Sequence, residues 1–438
     1  MATLDRKLNT YGLTMIAVGA CIGSGIFAAP GQIVESVPNH LLVILVWMLG
    51  GLIALTGALT LSELGGLFPS SGGVYVYLRK AFGEMAGFLY GWVILLVITT
   101  GAIAALGTVF ASYIANFIPM TEQQQIMLAI ATIIVLTAIN VTGVQTSQLF
   151  ANLFTGIKLV AIAGIIVIGF MFYDSSVVAL DYSLASVPDN AIAGIMTALI
   201  GVLWSMGGWH HTSYLAGEAL DARRTVPRAM VIGVLVVTIM YVLVNIAYMN
   251  LLSLQAIAST QTVAADAVQN LIPYGSKVVA LFIAISVFGT IGIYTMSAPR
   301  IYYAMAKDGI FFKFLADIHP RFKTPYKAMI LQSAWAILLL LIWGTFRDLI
   351  KYVVFMDIAF MGLAGIALFV LRYKMRDAER PVKVPLYPLV PLIFVLISLA
   401  FVVSTLIEEP KQSTAGLVIL GIGVFAYFLF KRIKKGGE

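Results

Sequence analysis

Apolar runs long enough to cross a bilayer recur along nearly the whole chain, and two of them are interrupted near their centres. A crossing helix needs about 20 mostly apolar residues. On that criterion about twelve windows qualify, at 11–34, 41–66, 84–117, 124–143, 149–173, 190–217, 227–251, 275–306, 327–346, 348–373, 385–407 and 414–433. The chain is 61% hydrophobic and 11% charged over 438 residues, a balance that excludes a water-soluble domain of this size. In lipid the backbone satisfies its own polar groups only as helices or closed barrels. The expected class is an all-α multi-pass membrane protein whose solvent is the lipid bilayer. The hydrophilic stretches are short loops and leave no room for a soluble domain.

Lysine and arginine placement sets the expected orientation. With the N-terminus inside, the inner connections carry Arg79 and Lys80, then Arg223, Arg224 and Arg228, the cluster Arg300 to Lys327, and Arg372 to Lys383, with Lys431 to Lys435 on the tail. The outer connections hold only Lys277, Arg347, Lys351 and Lys411, beside acids such as Glu35, Glu122, Asp174, Asp181 and Asp189. Basic residues concentrate on cytoplasmic loops, so both termini are expected in the cytoplasm. The net charge of +7 then follows from topology, and nucleic acid is not an expected partner because the basic residues sit at span ends. No cleavable signal peptide is expected, since the first apolar run lacks a small-residue cleavage pattern. The single cysteine, Cys21, excludes an internal disulfide, and its place inside a span argues against a disulfide-linked partner subunit.

The first interruption is Cys21-Ile22-Gly23-Ser24-Gly25-Ile26-Phe27, and the second is Trp204-Ser205-Met206-Gly207-Gly208-Trp209-His210. Glycine costs about 1 kcal/mol against alanine inside a helix. Unpaired backbone at membrane depth is tolerated only where protein or a water-filled cavity surrounds it. An unwound helix bares N–H groups at the start of its second half and carbonyls at the end of its first. The N–H end suits a carboxylate and the carbonyl end an ammonium. Ser24, Gly25 and Ile26 are the expected donors. Ile22 and Gly23, with Trp204 and Met206, are the expected carbonyls, and Gly207 lies at the second break. Glycine pairs also serve close helix packing, but two breaks at matching positions favour a ligand site. If spans 1 and 6 each open a five-span unit, the units run 1–173 and 190–373 with inverted topology. Two further spans then fall in 385–438.

Other residues add to this reading. Trp204 is a candidate gate over the ligand, with core filling as its alternative. His210, His211 and Glu218 lack the spacing of a metal site, so no metal and no cofactor is expected. His210 is a candidate pocket residue, as is Thr290 among the hydroxyls Thr99, Thr100, Ser286, Thr290 and Ser297. Each of those hydroxyls has the alternative of bonding back to its own helix. Lys158 lies about ten residues into the fifth span, where a cation is costly unless paired or hydrated. It is expected to donate to the carbonyls of the first break, taking the role of a bound cation, or to carry a proton. Glu63 is expected to pair with a basic loop residue, while Asp357 stays open between pairing and a proton path. Val74 to Lys80 reads as a short amphipathic helix with Tyr75 and Tyr77 at the interface, and 307–327 as an aromatic and basic interfacial anchor.

These segments together resemble a family. Gly23-Ser24-Gly25-Ile26-Phe27 with Pro30-Gly31 is similar to the first-span motif of the amino acid–polyamine–organocation transporters. Glu63-Leu64-Gly65, Pro69 and Ser71-Gly72-Gly73-Val74-Tyr75-Val76-Tyr77 resemble its second-span exit. Gly207-Gly208-Trp209, Glu218 and Pro227-Arg228-Ala229 resemble its sixth-span region, and Pro299 through Gly309 the end of its eighth span. Twelve spans point to the L-type branch. The resemblance implies a LeuT-like, five-plus-five inverted-repeat fold and alternating access. It also implies sodium-independent exchange with a lysine at the Lys158 position. Two departures stand out. His210 occupies a place where relatives often carry asparagine, and the external cysteine that joins animal relatives to a heavy chain is missing. The second departure suggests a stand-alone, prokaryote-like member.

The resulting expectation is a plasma or inner membrane exchanger of neutral L-amino acids, small ones such as alanine or serine. No acid is clearly placed at the breaks to receive a cationic side chain. A proton-coupled permease, or one preferring larger or cationic amino acids, is the alternative, and a non-transporting sensor is a third reading. A membrane enzyme would need a nucleophile–base pair or metal triad, and none is found.

Overall fold

The computed structural model describes residues 3–175, 180–183, 191–269, 271–342, 346–408 and 410–436. Asp189, the side chains of Arg347, Lys351, Lys411, Lys434 and Lys435, and the expected unit limits at 1, 190 and 438 lie outside the described residues. In chain order the helices are α1 (Thr10–Cys21), α2 (Gly25–Ser36), α3 (His40–Leu67), α4 (Val74–Phe82), α5 (Glu84–Val93), α6 (Thr99–Ile114), α7 (Glu122–Val141), α8 (Val144–Met171), α9 (Ala191–Met206) and α10 (His211–Tyr214). They continue as α11 (Ala222–Leu251), α12 (Leu254–Ala258), α13 (Val263–Val268), α14 (Gly275–Ser297), α15 (Pro299–Lys307), α16 (Tyr326–Ile342), α17 (Phe346–Lys374), α18 (Leu389–Glu408) and α19 (Pro410–Gly436). Among the described residues, ten spans are long and apolar enough to cross a membrane, or eleven if the bent pair α1 and α2 counts as one. α16 is apolar but shorter, at 17 residues.

The core is formed by the spans that surround the two breaks. α1 packs on α8, α11 and α14, and α2 on α9, while α11 lies along α3. Outward-facing side chains such as Leu149, Ile407 and Phe425 are more than two-thirds exposed. For a chain of this hydrophobicity that surface belongs against lipid rather than water.

Capping explains where several helices begin. Asn9 accepts from Gly12 N at 2.8 Å at the start of α1, and Asn39 accepts from Leu42 N at 2.9 Å at the start of α3. Thr121 and Gln124 form a reciprocal capping box at the start of α7. Between α5 and α6, Ile94–Ile98 widens into one π-helical turn, a feature the apolar pattern does not announce. Such turns free carbonyls and often sit at functional sites. Here Thr100 Oγ1 bonds Leu95 O at 2.6 Å and Trp335 Nε1 bonds Leu96 O at 3.1 Å.

Buried charges tie span ends together. Glu63 is fully buried and accepts from Arg372 at 2.8 and 2.5 Å and from Val384 N at 2.8 Å, with Arg380 Nε 3.1 Å away. Glu218 and Arg300, both 0% exposed, meet through two 2.7 Å contacts. The N-terminal segment lies on the same loop, with Lys7 N and Leu8 N donating to Glu218 O and Leu220 N returning a bond to Leu8 O. Tyr75 and Tyr77 correct the interfacial expectation, because both are fully buried in protein. α4 packs against α17, and Tyr75 OH donates to Asp308 at 2.7 Å, a carboxylate that Arg79 also meets at 2.7 Å. Burial and the Asp308 carboxylate push the Tyr75 phenol above its usual pKa, so it stays a donor.

Candidate functional site

The first break is a true bend. α1 ends at Cys21, α2 starts at Gly25, and their axes differ by 46°. In the first turn of α2, Phe27 N and Ala28 N bond Ser24 O at 3.1 and 3.2 Å, while Gly25 N and Ile26 N meet no acceptor among the described residues. α2 has Ser24 at its N-cap, with no capping bond from the Ser24 side chain.

The second break runs through Gly207 to His210, where Gly208 adopts φ +107°. The helix beyond it is shorter than half a span. α10 covers four residues and gives way to a 3-10 turn at Ala216–Glu218.

The two breaks touch. A Cβ on Gly25 would fall 2.6 Å from Ser205 Oγ, and one on Gly208 would fall 2.8 Å from the carbonyl carbon and oxygen of Ala20. Glycine at both positions is therefore a requirement of close backbone approach. Tyr241 of α11 joins the breaks from one side, its OH lying 3.1 Å from Cys21 O and 3.2 Å from Ser205 O. A tyrosine in the middle of an apolar span was the signal for this, and sequence reasoning passed over it.

Lys158 of α8 ties the first break to α14. Its Nζ donates to Gly19 O at 2.8 Å, Ile22 O at 2.7 Å and Thr290 Oγ1 at 2.7 Å, with the side chain almost wholly buried. Three oxygens thus satisfy the three ammonium protons. Thr290 Oγ1 also lies 3.2 Å from Gly19 O and 3.0 Å from Ile22 O, and Ser286 Oγ is 3.3 Å from Ile22 O and 3.2 Å from Gly23 O. The Ile22 carbonyl, expected to face a ligand, is turned instead toward these donors.

A cavity lies where the breaks meet, walled by α1, α2, α9, α14, the π-turn region and α17. Gly23, Ser24, Gly25, Trp204, Gly207, His210 and Thr290 all line it. Ile22, Ile26, Met206 and Lys158 do not. Met206 lines an adjoining apolar cavity against α3 and α18, and its carbonyl faces Cys21 Sγ at 3.6 Å. Asp357 of α17 lines both cavities, with Oδ1 3.8 Å from His210 Nε2. An acid therefore does reach the site, from a span far along the chain, contrary to the expectation that none was clearly placed there. Thr99 also lines the cavity, and its hydroxyl has no partner among the described residues. Thr100 bonds back within its own span, while Ser297 bonds Ile293 O and His211 Nδ1. Among the described residues no group of three His, Cys, Asp or Glu is placed to hold a metal.

Cys21 lines the cavity at 5% exposure. A small maleimide is expected to label it slowly, and a bound amino acid to slow it several-fold further. Equal labelling rates with and without saturating amino acid would place Cys21 outside the ligand's path.

A family model described as amino acid permease matches residues 8–428. The chain is 32% identical over 436 residues to the serine/threonine exchanger SteT of Bacillus subtilis, covering 98% of both chains. It is 31% identical over 439 residues to the b(0,+)-type amino acid transporter 1 of mouse, covering 99% of this chain and 90% of that one. It is 32% identical over 438 residues to the human large neutral amino acids transporter small subunit 2, covering 97% and 80%.

Proposed function

The chain belongs to the amino acid permease family, and from that membership we propose that it exchanges neutral L-amino acids across the cell membrane by alternating access, without sodium. The observation that carries the reading is the pair of touching breaks around one cavity. The N–H groups at the start of α2 receive the substrate carboxylate, and the carbonyls of Gly23 and Trp204, each with one donor and a second lone pair, receive its ammonium. Similarity to a serine/threonine exchanger and to neutral amino acid transporters supports the substrate class.

Sodium independence is supported by Lys158. Gly19 O, Ile22 O and Thr290 Oγ1 form an oxygen cluster of the sort a cation would occupy, and an ammonium already fills it at 2.7–2.8 Å. Small substrates are supported by the cavity, about 60 Å³ measured by the centres of water-sized spheres. A cavity of that size favours the smallest amino acids over large ones. Trp204, half-buried on the cavity wall, serves as the gate. Each broken span opens a five-span unit, 1–173 and 190–373, the second inverted on the first. The spans of 385–438 complete twelve, and both termini lie in the cytoplasm. With Cys21 its single cysteine, buried within a span, the protein works without a disulfide-linked heavy chain.

The test is counterflow in proteoliposomes. Labelled alanine should enter vesicles preloaded with alanine or serine, equally with and without sodium. Uptake that needs no internal amino acid and follows a proton gradient would replace exchange with proton coupling. Binding without flux would identify a sensor.

A further inference from the structure

His210 begins the chain's return to helix after the second break, and Asp357 projects from α17 across the same cavity. His210 Nε2 and Asp357 Oδ1 stand 3.8 Å apart, beyond hydrogen-bond reach. Neither atom has a hydrogen-bond partner among the described residues, although both atoms are buried, with the side chains 4% and 20% exposed. Orphaned polar atoms are costly at membrane depth and mark function there. The two atoms differ in character. A carboxylate oxygen accepts, and an imidazole Nε2 that carries its proton donates. One oxygen can sit about 2.8 Å from each, because 3.8 Å is less than twice that distance. A hydroxyl meets both needs, donating to Asp357 and accepting from His210. A methyl group there leaves both orphaned.

Resting on the exchanger reading above, we infer that His210 and Asp357 read a side-chain hydroxyl on the substrate and select serine and threonine over apolar amino acids of the same size. Sites built to hydrogen-bond a substrate hydroxyl reject analogues lacking it far more strongly than apolar pockets reject an extra one. The adjoining apolar cavity, which shares Leu203, Gly207, His210, Asp357 and Ile358 with the first, gives space beyond the pair for the threonine methyl.

The test measures competition against labelled alanine exchange by the full-length protein in proteoliposomes, using serine, 2-aminobutyrate, O-methylserine and lysine. In the unmodified protein serine should compete at least about tenfold better than 2-aminobutyrate or O-methylserine, the loss of one hydrogen bond to a charged group being worth about 1.5–3 kcal/mol. In Asp357→Leu and His210→Leu the serine-to-alanine ratio, read within each variant, should fall by a similar factor. Asp357→Asn, which keeps an accepting oxygen, should recover part of it. Equal competition by serine and O-methylserine in the unmodified protein overturns the inference whether or not the variants fold. So does a ratio unchanged in the leucine variants, or a proportional loss of serine and alanine together. Lysine competing better than serine, with that advantage lost in Asp357→Leu, overturns it in favour of an ammonium reader. If no amino acid exchanges at all in the unmodified protein, the exchanger reading falls and takes this one with it. Exchange without hydroxyl preference sinks only this one.

Discussion

Lys158→Ala is expected to lower exchange by roughly 10- to 100-fold while the protein still folds and reaches the membrane. The magnitude corresponds to losing about one of its charged hydrogen bonds. Each hydrogen bond to a charged group is worth about 1.5–3 kcal/mol, and every 1.4 kcal/mol is tenfold. Lys158 makes three such bonds, to Gly19 O in the last turn of α1, to Ile22 O at the break and to Thr290 Oγ1. The fold survives because Thr290 Oγ1 still reaches Gly19 O while Ser286 Oγ reaches Ile22 O, so each carbonyl keeps a donor. Lys158→Met separates charge from packing. It fills most of the volume, removes a buried cation that has no carboxylate among its partners, and should leave thermal stability unchanged or raised. Exchange should fall as in the alanine variant. Uptake at the unmodified rate in both variants would remove the proposed role of the ammonium.

Glu218→Ala is expected to lower the stability of the detergent-solubilised protein by about 3–5 kcal/mol, the cost of leaving one member of a buried ion pair alone. Glu218 and Arg300 are both 0% exposed and joined by two 2.7 Å bonds, and Arg300 Nη1 also donates to Met296 O. Without the carboxylate, a guanidinium remains buried with only a carbonyl to meet it. The loop that carries Glu218 also holds the N-terminal segment through Lys7 and Leu8, so the same change should expose residues before α1 to protease. The double variant Glu218→Ala with Arg300→Leu should recover most of the loss, because replacing both charges removes the desolvation problem. A single variant that melts with the parent would show that water reaches Arg300. The pairing of Glu63 with Arg372, which is 23% exposed, should matter less because solvent already screens the arginine.

Much of this architecture is legible in the sequence because lipid imposes one dominant rule. Apolar windows at 41–66 and 84–117 become the spans His40–Leu67 and Glu84–Ile114 with boundaries shifted by only a few residues. The first break is local chemistry. Gly23 and Gly25 flank Ser24, and the helix stops at Cys21 and restarts at Gly25. The second break is legible from Gly207 and Gly208, but the length of the helix beyond it is not. The shortness of α10 goes with pairing of the adjoining loop to residues 7 and 8, from the far end of the chain. Tyr75 and Tyr77 read as interfacial because a local pattern cannot show that α17 will cover α4. Ile22 read as a ligand carbonyl because the direction of an unwound carbonyl depends on the donor waiting for it, here on α8 and α14. The meeting of His210 with Asp357 is a product of tertiary packing alone, since no periodicity links α17 to the second break.

The central claim is that bare peptide groups at two touching breaks hold both charged ends of an amino acid. Equilibrium binding of L-alanine, L-alaninamide and L-lactate to the purified protein tests it most directly, since the amide lacks the carboxylate and lactate lacks the ammonium. Alanine alone should bind, with each analogue weaker by at least about 100-fold, the size expected for losing a charged group held by two or more hydrogen bonds. Binding of either analogue within a few-fold of alanine would contradict the account.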